Sequence, residues 1–120
     1  MNSRERPLAV TVLACLYLAV GVVGFFYHLQ PILAAHAIQR DDLFVELSEV
    51  IAVGCGFFLL RGENWARWLA LAWMAFHVAI SFFDSWEKVA AHAVFLAVIA
   101  YALFRPQSNA YFLKREESAS

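Results

Sequence analysis

Long apolar runs separated by short polar breaks make up most of the chain: Leu8 to Leu29, Leu43 to Leu60, Ala66 to Phe83 and Val89 to Phe104. A helix needs about 20 predominantly apolar residues to cross the roughly 30 Å hydrocarbon core of a bilayer, and each run approaches that length. The pattern predicts an all-α integral membrane protein, one domain over residues 1–120 with spans at about 8–29, 43–60, 66–83 and 89–104 and a tail from 105 to 120. The connections between spans are short, which favours antiparallel neighbours and an up-down four-helix bundle.

The breaks carry their own signals. Pro31, at a position tolerated in a first helical turn, predicts a short interfacial helix through Ile38. Asp42 offers an N-cap for the second span, and Arg61-Gly62 a stop with the glycine as C-terminal cap. Asp84 or Ser85 can cap the fourth helix, and Arg105-Pro106 closes it because proline cannot continue a helix. Trp65 and Trp68 fit the aromatic belt at a headgroup boundary, with Arg67 extending to the interface. Tyr111-Phe112-Leu113 with Lys114 and Arg115 reads as a membrane-surface foot. In the first run Ala14, Tyr17, Gly21, Gly24 and His28 recur at spacings of three and four, one stripe of a helix. Small residues there let another backbone approach closely, so this is the expected packing face.

Composition reinforces the membrane reading. Hydrophobic residues make up 62% of the 120, against about 45–50% in soluble domains. A formal net charge of −1 gives no basic surface for nucleic acid. Cys15 and Cys55 lie inside apolar runs, which does not suggest a secreted disulfide framework. The basic start and Ala35-His36-Ala37 loosely match a cleaved signal, but a signal core is about 7–15 residues and this run is longer, so a retained span is expected. Arg4, Arg6, Arg61, Arg67, Arg105, Lys114 and Arg115 fall on one side of the four spans and only Arg40 and Lys88 on the other. That bias predicts both termini in the cytoplasm, a multi-pass protein of a cell inner membrane, and an outward half that is periplasmic in a bacterium.

Orientation gives the remaining polar residues a common address. Glu46 and Glu49 share a helix face inside the second run, and ionisable groups at membrane depth mark a functional site by default. His28, His77 and His92 come from the other three spans. At 1.5 Å rise per residue all five fall within roughly 10 Å of the outer boundary, with Glu49 and His77 at nearly equal depth. His77, Ser81 and Asp84 form one stripe, so Ser81 and Asp84, with Tyr17 on the first helix, are supporting candidates. Inward-facing carboxylates and imidazoles in a bundle suit a divalent transition metal such as zinc or iron. The same groups suit proton relay. A second reading makes them interhelical hydrogen bonds in a non-catalytic accessory or structural protein, docked to a larger partner or to a second copy as a homodimer. A third is a small redox protein binding quinone or haem. Haem on His77 and His92 has no further signature behind it. No phosphate loop, nucleophile elbow or Cys-x-x-Cys pair occurs.

Arg6-Pro7 before the first helix, Asn64-Trp65-Ala66-Arg67-Trp68 before the third and Phe104-Arg105-Pro106 after the fourth give an arrangement that resembles the small four-helix bacterial inner-membrane proteins of unknown function. In topology the chain is also similar to the DoxX-like proteins. The resemblance implies the fold and the orientation. It brings no site residue, and the first helix lacks the acidic residue that small multidrug exporters use.

Overall fold

The computed structural model describes residues 5–119, with side chains through Leu113. Arg4 therefore lies outside the described residues, as do the side chains of Lys114 and Arg115. The described chain is helical throughout: α1 (Leu8–Ala35), α2 (Arg40–Leu60), α3 (Asn64–Ser81), α4 (Trp86–Phe104) and α5 (Pro106–Ala119). Three of these, α1, α2 and α4, are long and apolar enough to cross a membrane. α3 has 18 residues but holds Asn64, Arg67, His77 and Ser81, which dilute its apolar character.

Local chemistry explains where the helices end, and two ends differ from the sequence expectation. α1 does not stop at Leu29. It runs through Pro31 to Ala35 and ends at His36, which takes the left-handed conformation (φ 53°). No separate interfacial helix forms: α1 carries Pro31 within it, despite the lost backbone hydrogen bond and the ring's crowding of the preceding turn. Asp42 is not the N-cap of α2. Gln39 is, and Asp42, three residues on, accepts a hydrogen bond from the Gln39 backbone N–H at 3.1 Å, one half of a capping box. The other signals hold. Gly62 adopts φ 77°, which a side chain would oppose, and the turn closes with its N–H on the Leu59 carbonyl at 3.1 Å. Ser85 caps α4, its Oγ accepting from the Lys88 N–H at 3.2 Å.

α1 and α2 form the most extensive helix pair, followed by α3 with α4. On α1, Ala14, Tyr17 and Gly21 are buried, as the small-residue stripe predicts. A Cβ on Gly21 would lie 2.5 Å from the Val53 side chain and 2.7 Å from the Glu49 carbonyl oxygen, so only glycine permits this crossing.

The ends of the helices interleave at one end of the molecule, called here the closed end. Arg6 Nη1 donates to the Leu60 carbonyl at 2.9 Å, joining the start of α1 to the end of α2. Val10, Leu59, Leu103 and Phe112, from α1, α2, α4 and α5, are fully buried there. The aromatic part of α5 does not face outward as the sequence suggested, although Leu113 does. Tyr111 and Phe112 face protein, and the Tyr111 hydroxyl donates to the Leu60 carbonyl at 2.8 Å. Nor does Arg67 extend outward. It is 4% exposed, its Nε donating to Asn64 Oδ1 (2.7 Å) and its Nη1 to the Leu103 carbonyl (3.1 Å) and Asn109 Oδ1 (2.5 Å). The guanidinium also covers the Phe104 ring at 4.3 Å, a cation–π contact strengthened by its dry setting.

Candidate functional site

At the opposite, open end the five sequence-predicted residues separate into two groups. Glu46, Glu49 and His28 belong to the α1–α2 pair. His77 and His92 belong to the α3–α4 pair. No hydrogen bond or ion pair joins Glu49 to His77, which corrects the expectation of one site shared by those two residues. Position along a helix does not decide contact; azimuth does, and α3 turns His77 toward α4.

The first group starts from a glycine. Gly24 stands where a Cβ would lie 2.6 Å from the Glu49 carboxyl carbon, so its absence makes the pocket that holds that side chain. His28, one turn further along α1, donates through Nδ1 to the Gly24 carbonyl at 2.8 Å. A carbonyl can only accept, so this nitrogen carries the proton and Nε2 of the neutral ring is left as an acceptor. The same Nδ1 lies 3.7 Å from Glu49 Oε1. That is ion-pair range and beyond a hydrogen bond. The two ends of the pair differ in access, with side-chain exposures of 43% for His28 and 12% for Glu49. Beside them Glu46 Oε1, Glu46 Oε2 and Glu49 Oε2 are all hidden from solvent with no hydrogen-bond partner.

The second group is satisfied on its protein side. His77 Nδ1 donates to the Trp73 carbonyl at 2.8 Å. Ser81 Oγ is 2.7 Å from the His77 carbonyl and 2.8 Å from His92 Nδ1. The serine has one proton and the carbonyl only accepts, so Ser81 donates to His77 and His92 Nδ1–H donates to Ser81. Both imidazoles therefore carry hydrogen on Nδ1 and, when neutral, present a lone pair on Nε2. The rings lie 6.0 Å apart, and His77 stacks on the Trp73 indole at 4.0 Å. Trp73 is itself anchored to α2, its Nε1–H donating to the Ser48 carbonyl (2.9 Å) and Oγ (3.1 Å).

The supporting candidates divide likewise. Ser81 is 3% exposed and bridges the two histidines. Tyr17 reaches α3, its hydroxyl donating to the Ala70 carbonyl at 2.7 Å and its ring 5.3 Å from Trp73. Asp84 takes no part. It pairs with Lys88 on the exposed turn, the ordinary i,i+4 partner of an acid at a helix start. Sequence reading missed Trp73, although it lies four residues before His77 on the same stripe. It also assigned Gly24 to packing alone.

Among the described residues no three His, Cys, Asp or Glu side chains converge to hold a metal ion. The zinc-or-iron expectation therefore finds no ligand set, since its five candidates fall into groups on different helix pairs. Cys15 and Cys55 are free thiols, the first exposed and the second buried. No family model, no curated protein and no solved structure matches the chain.

Proposed function

We propose that the chain is a four-span protein of a cell inner membrane, with both termini cytoplasmic, whose Glu46–Glu49–His28 group relays protons in the outward half. α3 completes the four spans on this reading, paired with α4 and reaching the same depth. The basic residues Arg6, Arg61, Arg67 and Arg105 then collect at the closed end, as the positive-inside rule requires.

One observation carries the relay reading: two carboxylates at membrane depth hold three buried oxygens with no donor. Two such charges side by side in hydrocarbon are costly, and sharing a mobile proton relieves that cost. His28 supplies the connection outward. A proton taken up at Nε2 of this partly exposed ring makes an imidazolium, whose Nδ1–H lies 3.7 Å from Glu49 Oε1. A small side-chain rotation closes that gap, and Glu49 passes the proton to Glu46. The neutral ring is restored as the other tautomer and resets by exchange with water.

The test is infrared difference spectroscopy of full-length protein in lipid vesicles during a pH jump, beside a dye measurement of proton flux. A carboxylic-acid C=O band that responds to the jump, and is lost in Glu49→Gln together with the flux, is the expected result. A spectrum without such a band overturns the relay. The accessory reading has its own support in the Ser81 bridge, because His92 is already tied across to α3 by an interhelical hydrogen bond. On that reading Glu49→Gln changes thermal stability alone.

A further inference from the structure

His77 on α3 and His92 on α4 lie across from each other, with ring centroids 6.0 Å apart. Each already spends its Nδ1–H within the protein, His77 on the Trp73 carbonyl and His92 on Ser81 Oγ. A further proton can therefore enter only at Nε2. Neither Nε2 makes a hydrogen bond among the described residues, and neither is among the buried polar atoms left without one, so both are open to the surroundings of the protein. One proton disturbs nothing. On His92 it makes the donor to Ser81 charged, which strengthens that bond. On His77 it charges a ring whose centre is 4.0 Å from that of the Trp73 indole, a favourable cation–π contact.

A second proton meets different surroundings, because nothing there offsets two charges. On α2, Glu46 and Glu49 form no ion pair with either ring, and the partner of Glu49 is His28 on α1. Ser48, the α2 residue that anchors Trp73, is neutral. On α1, the Tyr17 hydroxyl is committed to the Ala70 carbonyl. In the turn between α3 and α4, Asp84 pairs with Lys88, one turn before His92, and the two charges cancel. Glu87 forms no ion pair with either ring among the described residues, and α5 packs at the closed end. Like charges this close disfavour each other's charged form. Two carboxylates that share one proton are the same case with the sign reversed.

We propose that His77 and His92 form a second proton site, one that holds a single proton between two rings and excludes another. Acidification then adds one positive charge to the α3–α4 pair and no more. The site is on different side chains from the Glu46–Glu49–His28 group, and neither proposal depends on the other.

Nitrogen-15 spectra of the full-length protein, labelled at histidine and held in detergent micelles, count the protons on each ring. At about pH 5, below the ordinary histidine value of about 6.5, His77 and His92 are expected to show one imidazolium per chain between them. In His77→Gln and in His92→Gln, where the amide keeps a hydrogen-bond donor, the remaining ring should be fully charged. Removing a histidine thus leaves the count at one. Two imidazoliums in the unaltered protein overturn the proposal, and so does none. A remaining ring that stays neutral in a single variant also overturns it, because burial and not the partner then excludes the proton. The count in the unaltered protein decides even where a variant does not fold.

Discussion

The two ends of this molecule treat buried polarity differently, although Arg105 Nε at the closed end is also buried without a hydrogen-bond partner. At the closed end Arg67 is almost wholly enclosed and makes hydrogen bonds to three other residues, and α5 folds over it to bring Asn109 and Phe112 into contact. At the open end Glu46 and Glu49 bury oxygens that meet no donor at all. A satisfied polar group rigidifies a packed interior, and an unsatisfied one is a cost retained for another reason. The same chain therefore shows what structural polarity looks like, and by contrast which residues do not fit that description.

Substitutions at the two ends should differ in sign as well as size. Arg67→Ala is expected to have the largest effect, a loss of about 2–4 kcal/mol, since it strips partners from Asn109 and the Leu103 carbonyl and opens space beneath Phe104 and Phe112. Unfolding in graded denaturing detergent checks it, and an effect below about 1 kcal/mol would break the contrast. Gly21→Leu should cost about 1–3 kcal/mol by forcing α1 and α2 apart, seen in the same assay. At the open end the sign reverses. Glu46→Leu should stabilise the protein by about 1 kcal/mol, because an unpaired buried carboxylate gives way to a side chain that needs no donor. A raised midpoint of thermal unfolding is the readout.

Ser81→Ala sharpens the comparison within the open end. It removes a single bridge between α3 and α4 and should cost about 1 kcal/mol, while the nitrogen-15 spectrum of His92 shifts as Nδ1 loses its acceptor. The smallest effect belongs to the exposed Asp84–Lys88 pair, where Lys88→Ala should change stability by less than about 0.5 kcal/mol. A larger loss there would show Asp84 acting in the site after all.

Much of the helical framework could be read from residue order. The apolar runs locate α1 to α4, the stop at Gly62 and the cap at Ser85 follow from local chemistry, and the stripe through Ala14, Tyr17 and Gly21 marks the face that packs. Pro31 misled because its effect depends on whether a helix is already running, and Gln39 because a capping box needs both partners placed. The buried roles of Arg67, Tyr111 and Phe112 were hidden for another reason. A lone arginine beside tryptophans and an aromatic cluster in a polar tail are the composition of a membrane surface, until α5 folds back on them.

The sequence by itself determined that helices form and roughly where the chain breaks between them, because period, length and capping are properties of neighbouring residues. Only the tertiary structure decided that Glu49 meets His28 across the space left by Gly24, and that His77 turns to Ser81 and His92. Depth along a helix is counted in residues, but the direction a side chain faces toward another helix is set by how the backbones cross. Those crossings were fixed by the close approach of small residues and by bonds such as Tyr17 to Ala70 and Trp73 to Ser48, which join parts of the chain far apart in sequence.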